Sequence, residues 1–239
     1  MDRADLLALL ADRVLADRVL AERVPADRTL DRRPRLVAVD GVDGAGKTVL
    51  ADELGALLEA RGTPVVRVGI DGFHHPRAVR YRRGPTSPEG FYRDSYDVDR
   101  FRAEVVDAVR AGRPVRTAVF DHRTDRPVDT APVTVPPGGV VLVDGIFLHR
   151  AELADAWDVS VFLRASFDVT FQRMAARDGC PADPRDPRNA RYVDGQRLYL
   201  AERDPQARAD VVVDHDDPVR PVLLRDGAVT RAARTPPGP

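Results

Sequence analysis

The chain has 239 residues, 43% hydrophobic and 31% charged, with a formal net charge of −1. That length and apolar fraction suit one medium globular domain, and the near-neutral balance gives no global field for nucleic acid or an anionic membrane. The one cysteine, Cys180, excludes an intramolecular disulfide framework; with no Cys/His group at zinc spacing and no apolar run long enough for a leader or a membrane span, a cytoplasmic location is expected.

Residues 2–24 contain the near-repeat ADRVL-ADRVL-AERV and read as helix. A period of five advances about 140° per unit, so the Val-Leu pairs do not share one clean stripe. A peripheral helix is expected, with a partner helix as the alternative; Pro25 and residues 31–34 (DRRP) end it.

Residues 35–40 (RLVAVD) read as a buried strand, and 48–60 (TVLADELGALLEA) as a helix that stops at Gly62. Between them stands Gly41-Val42-Asp43-Gly44-Ala45-Gly46-Lys47-Thr48, which fits the G-x-x-x-x-G-K-[ST] phosphate loop. Glycines let successive amides turn toward one anion, the helix N-terminus adds partial positive charge, and a Lys and a hydroxyl reach phosphate and Mg²⁺. Lys47 is the only lysine in the chain. Every other cation is an arginine, so a compact ammonium stands only where it must fit against the β- and γ-phosphates.

A second strand, 64–70, runs into Asp71, and residues 71–96 form a long loop crowded with Gly, Pro, His, Arg and Tyr. An amphipathic helix is expected over 97–110, closed by Gly112, then a third strand over 115–120 leading to Asp121 and His122. Residues 123–139, rich in Pro and Thr, suggest a short hairpin or a connection. A fully apolar fourth strand, 140–143, ends at Asp144; a short helix at 152–156 and a fifth strand at 158–163 follow. Helices at 167–177 and 191–203 flank a breaker-rich segment, 178–189, and 209–213 gives a last strand before a tail expected to be disordered.

Alternating strands and helices imply an α/β fold of three layers, α/β/α, around a mostly parallel sheet. Ligands then sit at the carboxyl ends of the strands. The phosphate loop, Asp71, Asp121 with His122, and Asp144 each follow an apolar run, so four polar stations are expected on that edge. The expected boundaries are a peripheral helix over 1–33, a kinase-type domain over 34–217 with a lid at about 178–190, and a tail over 218–239.

These stations fit phosphoryl transfer. Gly41, Asp43, Gly44, Ala45, Gly46, Lys47, Thr48 and Val49 would cradle the nucleotide, with Arg177 reaching it from the lid. Asp144 closes an apolar strand in the Walker B manner, where its carboxylate and the Thr48 hydroxyl hold Mg²⁺. Asp71 is the candidate general base for a substrate hydroxyl, or a further metal contact. Arg173, Arg177, Arg185, Arg188 and Arg191 bracket the lid, where arginine forks neutralise the charge of a loose transition state. Lys47, Asp71, Arg173 and Arg177 are the catalytic candidates; His74, Phe91, Tyr92, His122, Arg188 and Arg191 are the substrate candidates.

The arrangement resembles the branch of P-loop kinases that contains uridine kinase, pantothenate kinase and phosphoribulokinase. The motifs that carry it are GVDGAGKT, GIDGFHHP, VFDHRTD, VVLVDGIFLH, QRMAARD and ADVVVD, spread over about residues 35–215. The resemblance implies transfer of the ATP γ-phosphate to a primary alcohol with Mg²⁺, Asp71 matching the family's catalytic aspartate. There are departures. Asp144 stands in DGI where the family commonly has Glu, Arg173 is followed by Met174 where uridine kinases tend to carry an Arg pair, and Thr86-Ser87-Pro88 replaces Asp-His-Pro.

Uridine or another nucleoside is the acceptor first expected. DGFHHP and DSYD (94–97) resemble pantothenate kinase, so pantothenate is the alternative, with sugars behind it. A GTPase switch would need an Asn-Lys-x-Asp motif, and the one lysine is already committed. The reading from a different class is a non-catalytic nucleotide-binding module. A small molecule is the expected partner, without nucleic acid or membrane, and self-association is left open.

Overall fold

A computed structural model of the chain describes residues 1–21 and 33–227. Eight strands are described: β1 (Arg35–Gly41), β2 (Val65–Gly69), β3 (Phe120–Asp121), β4 (Arg126–Pro127), β5 (Val140–Gly145), β6 (Val159–Arg164), β7 (Val211–Asp214) and β8 (Val222–Asp226). Six of them form one sheet in the order β2-β5-β1-β6-β7-β8, parallel throughout except for β8. The α/β reading and the mostly parallel sheet hold.

The strands are apolar on both sides because both faces are covered. In β1, Leu36 and Ala38 enter one core cluster while Val37 and Val39 enter the other, the period-two alternation of a strand. One cluster is rich in aromatic rings, with Phe73, Phe91, Tyr92, Phe101 and Phe147 among its members. The other is aliphatic and packs α1 (Arg3–Ala21) and α2 (Lys47–Ala60) onto the sheet.

The first helix is more firmly docked than its five-residue period suggests. Leu6, Leu10, Ala11 and Val14 are fully buried, a set at helical spacing that cuts across the Val-Leu pairs. Ion pairs Arg3–Glu53 at 2.7 Å and Arg61–Asp12 at 2.6 Å join α1 to α2. The expected break at Pro25 and the Pro-Pro-Gly-Pro end lie outside the described residues.

Three other expectations change. The third strand does not join the main sheet: Val115 makes an isolated bridge to Val133, and β3 pairs only with β4 in a separate two-stranded unit. Asp121 and His122 therefore lie off the main sheet's carboxyl edge. Residues 71–96 contain short helices at Arg77–Arg80 and Pro88–Asp94, the second capped by Ser87, whose hydroxyl accepts the Gly90 N–H at 3.0 Å. Residues 222–226, expected as tail, form the antiparallel edge strand β8.

The helix expected over 97–110 exists as one continuous run with a π-helical turn at Arg102–Val106 between Val98–Phe101 and Asp107–Arg110. Beyond β6, a helix at Phe167–Asp178 is capped by Ser166 and stopped by Gly179 at φ 72°. A further helix, Ala190–Arg203, follows the breaker-rich segment.

Candidate active site

Strand order brings the stations together. Because β5 lies between β1 and β2, Asp144 pairs in register with Val39 on one side and Gly69 on the other. The loop that follows β1 and the turn that follows β2 therefore open on either side of Asp144. A cavity of about 320 Å³ lies there, lined by the phosphate loop, Asp71, Tyr96, Asp144, Arg173 and Arg177 among others.

The loop is pre-shaped. Gly44 has φ 73° and Gly46 φ 90°, and a Cβ on Gly44 would stand 2.6 Å from the Thr170 carbonyl oxygen. Lys47 Nζ donates to the Val42 carbonyl at 2.8 Å, so the ammonium is folded over its own loop. Behind the loop, neutral His215 donates from Nδ1 to the Ala45 carbonyl at 2.6 Å and accepts at Nε2 from Arg3 at 2.6 Å. Burial lowers the His215 pKa, and the guanidinium groups of Arg3 and Arg173 lower it further, against the raising effect of that hydrogen bond.

Asp144 and Thr48 meet directly. The Thr48 hydroxyl donates to Asp144 Oδ2 at 2.6 Å, and Arg67 Nη2 donates to Oδ1 at 2.7 Å. A hydroxyl and a carboxylate oxygen side by side at the mouth of a phosphate loop are hard oxygen donors of the kind Mg²⁺ takes, with phosphate and water completing the shell. Among the described residues no cluster of three or more His, Cys, Asp or Glu could hold a metal by itself. The donor set thus suits an ion that arrives with nucleotide.

Asp71 lies one residue into the 3₁₀ turn Ile70–Phe73, its side chain largely exposed to the cavity. The Tyr96 hydroxyl donates to Asp71 Oδ1 at 2.9 Å. Burial, and then the charge on Asp71, push the Tyr96 phenol well above its ordinary pKa of 10.0, so it remains a donor. His74 donates from Nδ1 to the Asp71 carbonyl at 2.9 Å, and its ring lies tilted against Tyr96 and His122, with centroids 4.4 Å and 4.5 Å away. His122 thus reaches the site's flank from the side hairpin, although it is absent from the main sheet.

The remaining candidates separate. Gly41 and Ala45 shape the loop from beneath, while Asp43, Gly44, Gly46, Lys47, Thr48 and Val49 line the cavity. Arg173 lines it too, with its guanidinium directed to the carbonyls of Asp216 at 2.8 Å and His215 at 3.1 Å. Arg177 lines it from an exposed position, paired with Asp178 at 2.6 Å. Phe91 and Tyr92 are packed against Phe147 in the core, outside the cavity lining. Arg191 is buried and holds the loop at residues 81–85, donating to the Pro85 carbonyl at 2.8 Å with its guanidinium 4.5 Å from the Tyr81 ring centroid. Arg188 is exposed and paired with Asp186 at 2.7 Å.

Sequence reasoning passed over Arg67, Tyr96, Gln196 and His215 as parts of the site. Arg67 offered one signal, a charge inside an otherwise apolar strand.

Fold and site together define a P-loop kinase: a phosphate loop between β1 and α2, an acid on the adjoining strand beside the loop hydroxyl, and a second acid one strand further. The chain belongs to the family described as AAA domain, whose profile matches residues 37–194. It is 30% identical over 228 residues to a pantothenate kinase of Rhodopseudomonas palustris strain BisA53, a match covering 83% of this chain and 70% of that protein. Against a second pantothenate kinase, from strain BisB18, the match spans 55% of the relative's length at 32% identity. It is 24% identical to uridine kinase of Saccharomyces cerevisiae over 61% of this chain and 29% of that protein. A solved structure of a possible uridine kinase from Bacillus stearothermophilus superposes with a TM-score of 0.61 at 25% identity, covering 85% of this chain and 98% of that one.

Proposed function

We propose that the chain is an ATP-dependent kinase that transfers the γ-phosphoryl group to a primary hydroxyl of a small molecule, with pantothenate the leading acceptor and uridine or another nucleoside the second. The observation that carries the reading is the meeting in one cavity of the Lys47 loop, the Thr48–Asp144 pair and the Tyr96-held Asp71. Pantothenate moves ahead of the nucleoside because pantothenate kinases are matched at 30–32% identity and the uridine kinase at 24%.

Bound Mg²⁺ would supply charge neutralisation at the phosphate oxygens, held on the protein side by Thr48 and Asp144. The chain's own residues divide the rest. Backbone amides of the loop and the Lys47 ammonium grip the β- and γ-phosphates. Asp71 Oδ2, which accepts no hydrogen bond from a described residue, receives the acceptor hydroxyl and its proton, while Tyr96 fixes the carboxylate's orientation through Oδ1. Arg177, exposed and adjacent, closes over the transferring group once nucleotide draws it from Asp178. No helix among the described residues is long and apolar enough to cross a membrane.

An ADP-release screen with ATP and GTP across pantothenate, uridine, cytidine and free and phosphorylated sugars tests the reading, with Lys47→Ala as the blank. Pantothenate-dependent release is the expected result. Nucleotide binding with no release above water for any alcohol would instead favour a non-catalytic binding module.

A further inference from the structure

The phosphate loop itself carries an acid. Asp43 holds the third position of GVDGAGKT, an anion placed among amides that turn toward a polyanion. Like charge beside a triphosphate weakens its binding, so the residue needs another use.

Its backbone and its side chain are treated differently by the fold. The Asp43 N–H is fixed by Gln196, a buried residue of the helix Ala190–Arg203, whose Oε1 accepts it at 2.6 Å. The carboxylate accepts no hydrogen bond from any described residue and lines the cavity with Asp71 and Tyr96. Burial raises the Asp43 carboxyl pKa, Lys47 lowers it, and the charge on Asp71 raises it again, so the two acids feel one another across the cavity. Two carboxylates that share a recess are relieved when each is given a donor. Asp71 has Tyr96 for one oxygen; among the described residues Asp43 has no such donor.

We propose that Asp43 is an acceptor-binding residue: its carboxylate accepts a hydrogen bond from a second donor group of the alcohol, a hydroxyl or amide N–H a few bonds from the hydroxyl that Asp71 receives. The proposal rests on the kinase reading and narrows the substrate class. The reacting end of the acceptor is an uncharged polyol or hydroxy amide, because an anionic group there would meet two carboxylates. Pantothenate, with a secondary hydroxyl two carbons from its primary one, and uridine, with ring hydroxyls near its primary one, both belong to this class. An alcohol whose only polar group is the reacting hydroxyl does not.

The test separates nucleotide from acceptor. Asp43→Asn and Asp43→Ala are titrated calorimetrically with Mg²⁺ and a non-hydrolysable ATP analogue without acceptor, and then assayed with pantothenate and with uridine at saturating ATP. Analogue affinity is expected to equal that of the unsubstituted protein or exceed it. The acceptor kcat/KM is expected to fall about 10- to 100-fold, mainly through KM. Substrate analogues that lack the second hydroxyl, 3′-deoxyuridine or pantothenate without its secondary hydroxyl, should be disfavoured by the unsubstituted enzyme and equally accepted by Asp43→Ala. Tenfold weaker analogue binding in both variants, or unchanged acceptor kinetics, overturns the role of Asp43 while leaving the kinase standing. Unsubstituted protein that releases ADP with neither alcohol nor sugar removes the kinase reading, and the acceptor role with it.

Discussion

The hydroxyl of Thr48 and the carboxylate of Asp144, 96 residues apart in the chain, meet at 2.6 Å. In the proposed reading they hold one ion together, so their removal should not be additive. Thr48→Val and Asp144→Asn are each expected to lower kcat/KM by about 100-fold or more, and the double variant by little beyond the larger single effect. Strict multiplication of the two losses would show that the residues act separately.

Asp71 and Tyr96 should divide between chemistry and orientation. Asp71→Asn is expected to lower kcat by about 10²- to 10⁴-fold with nucleotide affinity unchanged. Tyr96→Phe removes only the donor to Oδ1 and should cost about tenfold. A Tyr96→Phe loss as large as that of Asp71→Asn would place the phenol in the reaction itself.

His215 should make stability fall in acid. Its folded pKa is depressed below the ordinary 6.5, chiefly by burial, so the folded state disfavours the proton. Neutral His215 contributes its full stabilisation above pH 6.5, and that contribution is lost as pH falls from there through the depressed value. Urea midpoints at pH 7.5 and 5.5 should therefore differ more in the unsubstituted protein than in His215→Gln. Equal differences would mean that His215 binds its proton alike in the folded and unfolded states.

The docking of α1 is testable in the same way. Leu10 is 1% exposed against α2 and the aliphatic cluster, so Leu10→Ala should destabilise the protein by about 3 kcal/mol. A loss below about 0.5 kcal/mol, the scale of surface substitutions, would show that this helix is not part of the folded unit.

Much of this was legible along the chain because it is local. A phosphate loop needs glycine at fixed offsets, a lysine and a hydroxyl, and all of these lie between Gly41 and Thr48. Asp71 and Asp144 were legible for the same reason, each ending an apolar run. The segment 115–120 misled because β-propensity marks residues that suit some strand without naming the sheet, and its backbone found partners in Val133 and the small hairpin instead. Phe91 and Tyr92 looked like substrate residues in a long loop, and Arg191 like one at the edge of the lid. The short helix Pro88–Asp94 turns the first two into the aromatic core, and the long helix Ala190–Arg203 sets Arg191 against the carbonyls of Gly84 and Pro85.

By itself the sequence determined the phosphate chemistry and the alternating α/β order, because backbone geometry and strand-helix periodicity act over a few neighbouring residues. Only the tertiary structure decided which distant side chains complete the site. Inserting β5 between β1 and β2 sets Asp144 against Thr48 and Arg67, and seating a late helix beneath the loop ties Gln196 to Asp43. Those contacts depend on how strands are ordered in space, a choice made by burying both faces of the sheet at once, and no short stretch of chain contains it.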